Sequence, residues 1–268
     1  MHLGHAYSAL LNAHWAQQSG GRLLLRIEDI DTTRCRPEFE QAIYDDLAWL
    51  RLTWEKPVRR QSDHFGDYER AFETLRKRDL VYPCFCSRKE ILVAVPPGAG
   101  RDPDGALLYP GTCKSLSLDD RQLRLESGAR HSWRLDMSMA LRELGESLMF
   151  SSLSCEGDAV MQRCFPERWG DPIIVRKETP TSYHLSVVVD DALQRVSHVI
   201  RGKDIEAATD LHVMLQKLLC LPTPFYLHHD LVLGEQGEKL SKSLGSEALS
   251  DLRNRGVSSE TIREALGF

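Results

Sequence analysis

The sequence contains no apolar run near the ~20 residues that span a bilayer, which excludes a helical membrane span. No basic segment followed by an apolar stretch stands at its start, so no secretory leader is indicated and a cytoplasmic protein is expected. Positive charge is not in excess: 34 Lys and Arg face 39 Asp and Glu, for a net charge of -5. A basic field over the whole molecule is thereby excluded, and any contact with nucleic acid has to be a local patch. Arg59-Arg60, Arg76-Lys77-Arg78 and Arg88-Lys89 are the candidates, although each taken alone reads better as a solvated helix face. The seven cysteines are an odd number, which argues against a disulfide framework. There is no internal repeat and no low-complexity tract.

What is present is an alternation of helix and strand patterns. Ala6 to Gln18 reads as a helix that Gly20-Gly21 stops, and Arg22 to Ile27 is an apolar run of strand length. Pro37 opens a second helix with Phe39, Ile43, Leu47 and Leu50 on one face, and a third covers Tyr68 to Arg78. From Pro83 the elements become shorter and less regular. Ser87 to Glu90 fits a capping box for a short helix through Val95, followed by a Gly/Pro/Asp stretch to Gly111. Alternation resumes with strands at Ile173–Val175, Ser197–Ile200 and Tyr226–Leu233 and a helix over Asp210–Leu221. Tyr183–Leu193 is open between strand, favoured by Val187-Val188-Val189, and helix. This pattern predicts an α/β fold, a doubly wound parallel sheet. Residues 1–83 and 171–245 are its two halves, 84–170 an inserted module and 246–268 a short helical tail.

Chemistry gathers at the two ends of the chain. His2-Leu3-Gly4-His5 lies at the mouth of the first helix, where free N–H groups and the positive end of the dipole suit phosphate. Gly4, without a side chain, lets a flat adenine approach the backbone. His2 and His5 can donate to phosphate oxygens and carry part of a positive charge. Far along, Lys239-Leu240-Ser241-Lys242-Ser243 supplies ammonium groups that can follow a departing pyrophosphate. Either motif alone has a bland reading, as surface histidines or an exposed basic loop. Together, in this order and with α/β alternation between them, they point to an ATP site with His2, His5 and Lys242 as the catalytic candidates and Lys239 binding ATP.

The residues between them carry a resemblance. Leu24-Leu25-Arg26-Ile27-Glu28-Asp29-Ile30-Asp31, the run from Ser182 to Asp191 and His198-Val199-Ile200-Arg201-Gly202 resemble segments of the glutamyl-tRNA synthetases, class I aminoacyl-tRNA synthetases with a Rossmann-like core. Within that family the chain is similar to the short paralogues that glutamylate queuosine. It ends soon after Ser243, without a large anticodon-binding region, and Val187 stands where full-length members commonly carry Asn. Tyr82 to Glu90 and Tyr109 to Cys113 match those paralogues closely. The resemblance implies that glutamate and ATP, with magnesium, give glutamyl-adenylate, and that glutamate passes to queuosine at the wobble position of tRNA(Asp). The core itself would then grip the anticodon stem-loop, and a monomer is expected. It further implies that Glu28 holds the ammonium group of glutamate, that Arg201 pairs with a substrate carboxylate through its bidentate fork, and that the Tyr183 hydroxyl donates to the substrate. Without the resemblance, Glu28 reads as a surface acid beside Asp29 and Asp31, and Arg201 as a partner of Asp204.

Cys84-x-Cys86 is tighter than the usual zinc spacing and Cys113 adds a third thiol. The short paralogues supply a tyrosine as fourth ligand, and Tyr109 matches it; the alternative is that Tyr109 only packs nearby. A structural zinc is expected, since four protein ligands leave no open position. One departure stands out. Family members carry a segment like "RFAPSPTG" just before His-x-Gly-His, forming the first strand and a loop that touches glutamate, and it does not precede His2 here. Either the protein begins upstream of Met1, which the intact motifs favour, or the chain is a paralogue that no longer activates glutamate.

Overall fold

The computed structural model describes residues 1–233 and 247–268. In chain order the elements are α1 (Leu3–Gln18), β1 (Arg26–Ile27), α2 (Pro37–Trp49), β2 (Arg59–Arg60), α3 (Phe65–Arg76), β3 (Val81–Cys84), α4 (Arg88–Ala94) and α5 (Leu118–Glu126). Then follow β4 (Ser132–Leu135), α6 (Met137–Leu144), β5 (Met149–Leu153), β6 (Ala159–Arg163), β7 (Ile173–Val175) and α7 (Tyr183–Leu193). The last are β8 (His198–Gly202), α8 (Ala208–Leu218), β9 (Phe225–His229), α9 (Leu249–Asn254) and α10 (Ser259–Ala265). The chain forms two compact units. One comprises Met1–Asp63, Ile200–Glu206 and Leu227–Phe268; the other comprises His64–Val199 and Ala207–Tyr226.

In the first unit, Ala6 and Leu10 of α1 pack with Leu47 of α2, Leu50, Leu52, Leu249, Leu252 and Ile262. These positions recur at helical spacing, so each helix turns one stripe inward. β1 and β2 pair in parallel, with Arg26 opposite Arg59 and Ile27 opposite Arg60. The strand expected over 22–27 forms a ladder only at its last two residues. Upstream, the Leu23 carbonyl accepts the Glu55 N–H at 2.9 Å.

The second unit holds an antiparallel sheet in the order β3-β4-β7 and the β5–β6 hairpin; β5 also pairs in parallel with β9 at Ser152–Tyr226. Parallel pairing is seen at β1–β2 and β5–β9, and β9 has β8 as its other neighbour in a sheet of order β6-β5-β9-β8; with β5–β6 antiparallel, that sheet is mixed rather than wholly parallel as expected from the alternation. The antiparallel ladders come mainly from strands between residues 81 and 163, the stretch whose pattern already looked irregular. The ambiguous run is the helix α7. Ser182 caps it by accepting the Leu185 N–H, and Leu185 and Val188 are buried against α3 and α8. Valine costs a helix only tenths of a kcal/mol, whereas burying such a side chain contributes about 1.5–3 kcal/mol.

Tyr68 of α3 and Asp190 of α7 are fully buried, and the tyrosine hydroxyl donates to both carboxylate oxygens at 3.1 and 2.9 Å. Tyr68→Phe keeps the ring but withdraws that donor from a desolvated carboxylate. It is expected to lower stability by about 1.5–3 kcal/mol, read as a fall of several degrees in the thermal midpoint; an unchanged midpoint would show that the bond contributes nothing.

Candidate active site

Helix α1 begins with His2 as its N-cap. Histidine is an unusual cap, and it works because its Nδ1 accepts the Gly4 N–H at 3.2 Å while the His2 N–H donates to Nδ1 of His5 at 3.3 Å. The reciprocal pair is a capping box built from two imidazoles, whose ring centroids lie 3.7 Å apart. With Nδ1 accepting in both rings, the neutral tautomer carries its proton on Nε2, the form that can donate to a phosphate oxygen. Gly4 has a purpose the sequence reading did not foresee. A Cβ there would sit 3.1 Å from the His2 ring, so the missing side chain makes room for the cap as well as for any ligand. Lys239 and Lys242 lie outside the described residues.

Glu28 follows the last residue of β1 and is exposed, whereas Asp29 beside it is 4% exposed. The Arg26 guanidinium reaches Glu28 Oε1 from Nη2 at 3.2 Å and from Nε at 3.4 Å. A substrate ammonium bound by Glu28 has to share the carboxylate with Arg26 or displace it. Arg201, on β8 in the same unit, is buried and donates from Nε to Nε2 of His228 at 3.4 Å. Burial, the nearby Arg201 charge, His229 and Lys203 push the His228 pKa down to about 3, so its ring is neutral and can accept from a guanidinium. Tyr183, in the second unit, is the first residue of α7, and its ring lies 5.4 and 5.6 Å from those of His184 and His212. His184 Nδ1 and His212 Nε2 are 3.1 Å apart.

The thiol cluster belongs to the second unit. Cys84 ends β3, and the sulfurs of Cys84, Cys86 and Cys113 all lie within 4.8 Å of one another. A tetrahedral ion with ligand sulfurs at ~2.3 Å sets them about 3.8 Å apart, close to the 3.5 Å between Cys86 and Cys113. The Tyr109 hydroxyl stands 3.5 Å from Cys86 Sγ and accepts the Cys113 N–H at 2.8 Å. Burial pushes the Cys86 thiol up to about 11. Burial would raise Cys113 too, but donation from the Tyr109 hydroxyl and the Phe85 N–H outweighs it and brings the thiol below its ordinary value. Burial and the surrounding thiols hold the Tyr109 phenol well above its usual range. The Arg134 guanidinium carbon lies 3.9 Å from the ring centroid and stacks over the phenol. Three thiols, one phenol and donors aimed at sulfur suit a divalent metal that binds thiolates.

Sequence reasoning missed the groups that hold these residues. Lys177 donates to the carbonyls of Phe85 and Cys86, both at 2.9 Å, and so fastens the Cys-x-Cys turn. Nothing in the sequence marks that lysine, 91 residues from its nearer target. Arg134 could have been suspected as a cation on a strand that is otherwise largely buried. The arginines first considered as an RNA patch are used locally: Arg60 pairs with Asp29 and Glu40, Arg76 with Glu73 and Arg78 with Glu143. That favours the plainer reading of those clusters.

Gly4→Ala separates ligand binding from folding. Alanine is the better helix former by up to about 1 kcal/mol, but its Cβ presses on the ring that caps the helix, so the thermal midpoint should change little. The added Cβ crowds the His2 ring, and KM for ATP should rise several-fold in ATP–pyrophosphate exchange. An unchanged KM would remove His2 from the ATP site.

Comparison with known proteins places the chain. Residues 1–267 match the family of class I tRNA synthetases (E and Q), catalytic domain. The glutamyl-Q tRNA(Asp) synthetase of Rhodobacter capsulatus is 43% identical over 272 residues, covering 100% of this chain and 96% of the relative. That of Symbiobacterium thermophilum is 35% identical over 277 residues, covering 100% and 82%. Among solved structures, a glutamate tRNA ligase from Elizabethkingia meningosepticum in complex with its amino acid superposes with a TM-score of 0.72 at 25% identity. The match covers 91% of this chain but only 49% of that one, so the chain spans about half the length of the full ligase. With its two histidines at the head of α1 and the match running through residue 267, the chain belongs to the class I tRNA synthetases of the glutamate and glutamine type and is built on their catalytic domain.

Proposed function

We propose that the chain activates glutamate with ATP as glutamyl-adenylate and transfers the glutamyl group to queuosine at the wobble position of tRNA(Asp). The observation that carries this reading is the 43% identity to a glutamyl-Q tRNA(Asp) synthetase over nearly the whole of both chains. The chemistry runs in two displacements. A glutamate carboxylate oxygen attacks the α-phosphorus and pyrophosphate leaves. A hydroxyl of the queuosine cyclopentenediol then attacks the acyl carbon and AMP leaves. Neither step needs a covalent bond to the protein, so placement and charge carry the rate.

In this reading the Nε2–H groups of His2 and His5 orient the phosphates, and Lys239 and Lys242 neutralise the departing pyrophosphate, with magnesium accompanying ATP. Glu28 takes the substrate ammonium, Arg201 a carboxylate and Tyr183 a further hydrogen bond. The neutral His228 accepts from Nε of Arg201 and so helps to hold the guanidinium in place. Residues 84–170 form the inserted module, in which Cys84, Cys86, Cys113 and Tyr109 hold a structural zinc. When bound, that ion ties together parts of the chain distant in sequence.

Two measurements test the proposal. Glutamate should support ATP–pyrophosphate exchange, and labelled glutamate should enter tRNA(Asp) carrying queuosine but not tRNA(Asp) lacking it. Equal incorporation into both would make the chain an ordinary glutamate–tRNA ligase. Absence of exchange would leave a tRNA-binding protein. For the metal, protein purified without chelators should contain close to one zinc per chain and lose it on Cys113→Ser, whereas Tyr109→Phe should weaken retention without abolishing it. Less than half an equivalent in the unsubstituted protein would remove zinc from the reading.

A further inference from the structure

Beside Glu28 lies a second carboxylate, Asp29, in a different environment. Asp29 is nearly withdrawn from water, and its two oxygens are taken up from the far side of the β1–β2 pair. Oδ1 accepts the Ser62 N–H at 2.9 Å. Oδ2 accepts the Ser62 hydroxyl at 2.7 Å and Nη1 of Arg60 at 3.1 Å. Arg60 in turn pairs with Glu40 of α2. All these residues belong to the first unit.

The placement gives the cluster its meaning. Ile27 and Arg60 are the last register partners of a parallel pair. Beyond them the strands have no further ladder, and in α/β sheets ligands bind at this carboxyl end. Glu28 occupies the one position between the final ladder residue, Ile27, and the clamped residue, Asp29. Its backbone is fixed on both sides, although its own side chain is exposed. The ladder on one side and the three-bond clamp on the other set the direction in which the Cα–Cβ bond of Glu28 leaves the chain, while Arg26 meets its carboxylate; backbone ordering already present is not lost again on binding.

We propose that Asp29 is a positioning residue for glutamate recognition: through Ser62 and Arg60 it locks the strand end that carries Glu28, and so sets the direction of the carboxylate that receives the substrate ammonium. This rests on the reading of Glu28 as the ammonium ligand. Asp29 touches no substrate, and its effect passes through the backbone of its neighbour.

The test is glutamate-dependent ATP–pyrophosphate exchange by the full chain, with KM for glutamate and for ATP measured separately, beside the thermal midpoint. Asp29→Asn keeps the shape but removes the charge and reverses one hydrogen bond; Ser62→Ala removes the 2.7 Å bond alone. Asp29→Asn should raise KM for glutamate about tenfold, the equivalent of ~1.4 kcal/mol, with KM for ATP within twofold of the unsubstituted protein. Ser62→Ala should give a smaller rise of the same kind. Glu28→Gln separates the two ideas. If it raises KM for glutamate and Asp29→Asn does not, the positioning role fails while the Glu28 reading stands. If Glu28→Gln leaves that KM unchanged, the ammonium reading fails and the proposal with it. A parallel rise in both KM values with a large fall in the midpoint for both Asp29→Asn and Ser62→Ala would reduce Asp29 to a fold-stabilising residue and overturn the proposal. If the double variant Glu28→Gln/Asp29→Asn is no worse than Glu28→Gln alone, the two residues act as one unit, as proposed; full additivity counts against it.

Discussion

A carboxylate taken out of water has to be given donors, and in this protein the search for those donors decides how the chain is tied together. Leaving such a group unpaired costs several kcal/mol. Asp29 finds its donors at Ser62 and Arg60, 33 and 31 residues onward, and closes the end of the β1–β2 pair. Asp190 finds Tyr68, 122 residues earlier, and joins α7 to α3. Asp171 accepts from the Tyr82 hydroxyl at 2.7 Å and the Met137 N–H at 2.9 Å, and so links the start of α6 to β3. Each bond is worth little against the alternative of an exposed, hydrated acid. Once the apolar surroundings have buried the acid, that alternative is gone, and the donor's position becomes compulsory.

The thiol cluster obeys the same rule with sulfur in place of oxygen. Burial opposes a thiolate, and the Phe85 N–H and the Tyr109 hydroxyl oppose burial. Lys177 does for the backbone of the turn what those donors do for the sulfur: it supplies a charged donor to two carbonyls. These bonds give the turn a shape of its own, which lowers the ordering cost of binding an ion there.

How much of this could be read from the sequence depends on how local the physics is. Helix starts were legible, because Ser87 with Glu90 and Pro37 act within one turn of themselves. The helix at Tyr183–Leu193 is not legible locally, because its valines favour strand and only burial against α3 and α8 tips the balance. The run at 22–27 looked like a full strand, but a ladder needs a neighbour in space and the pattern of one segment cannot supply it. Motif residues such as His2, Glu28 and the three cysteines were found because their types and spacing are themselves the chemistry. Asp29 was passed over as one more acid in an acidic run. What distinguishes it from Glu28 and Asp31 is burial and the hydroxyl of Ser62, and neither is written near it in the chain.

The double-histidine cap of α1 fixes a division of labour. With each Nδ1 accepting from the backbone, the Nε2 edge of each ring is the one left to face a ligand. In the proposed site these imidazoles therefore serve as compasses: they give direction to the phosphates. The countercharge that a tetra-anionic nucleotide demands then has to come from elsewhere, which is a use for two lysines set far along the chain from the helix they serve.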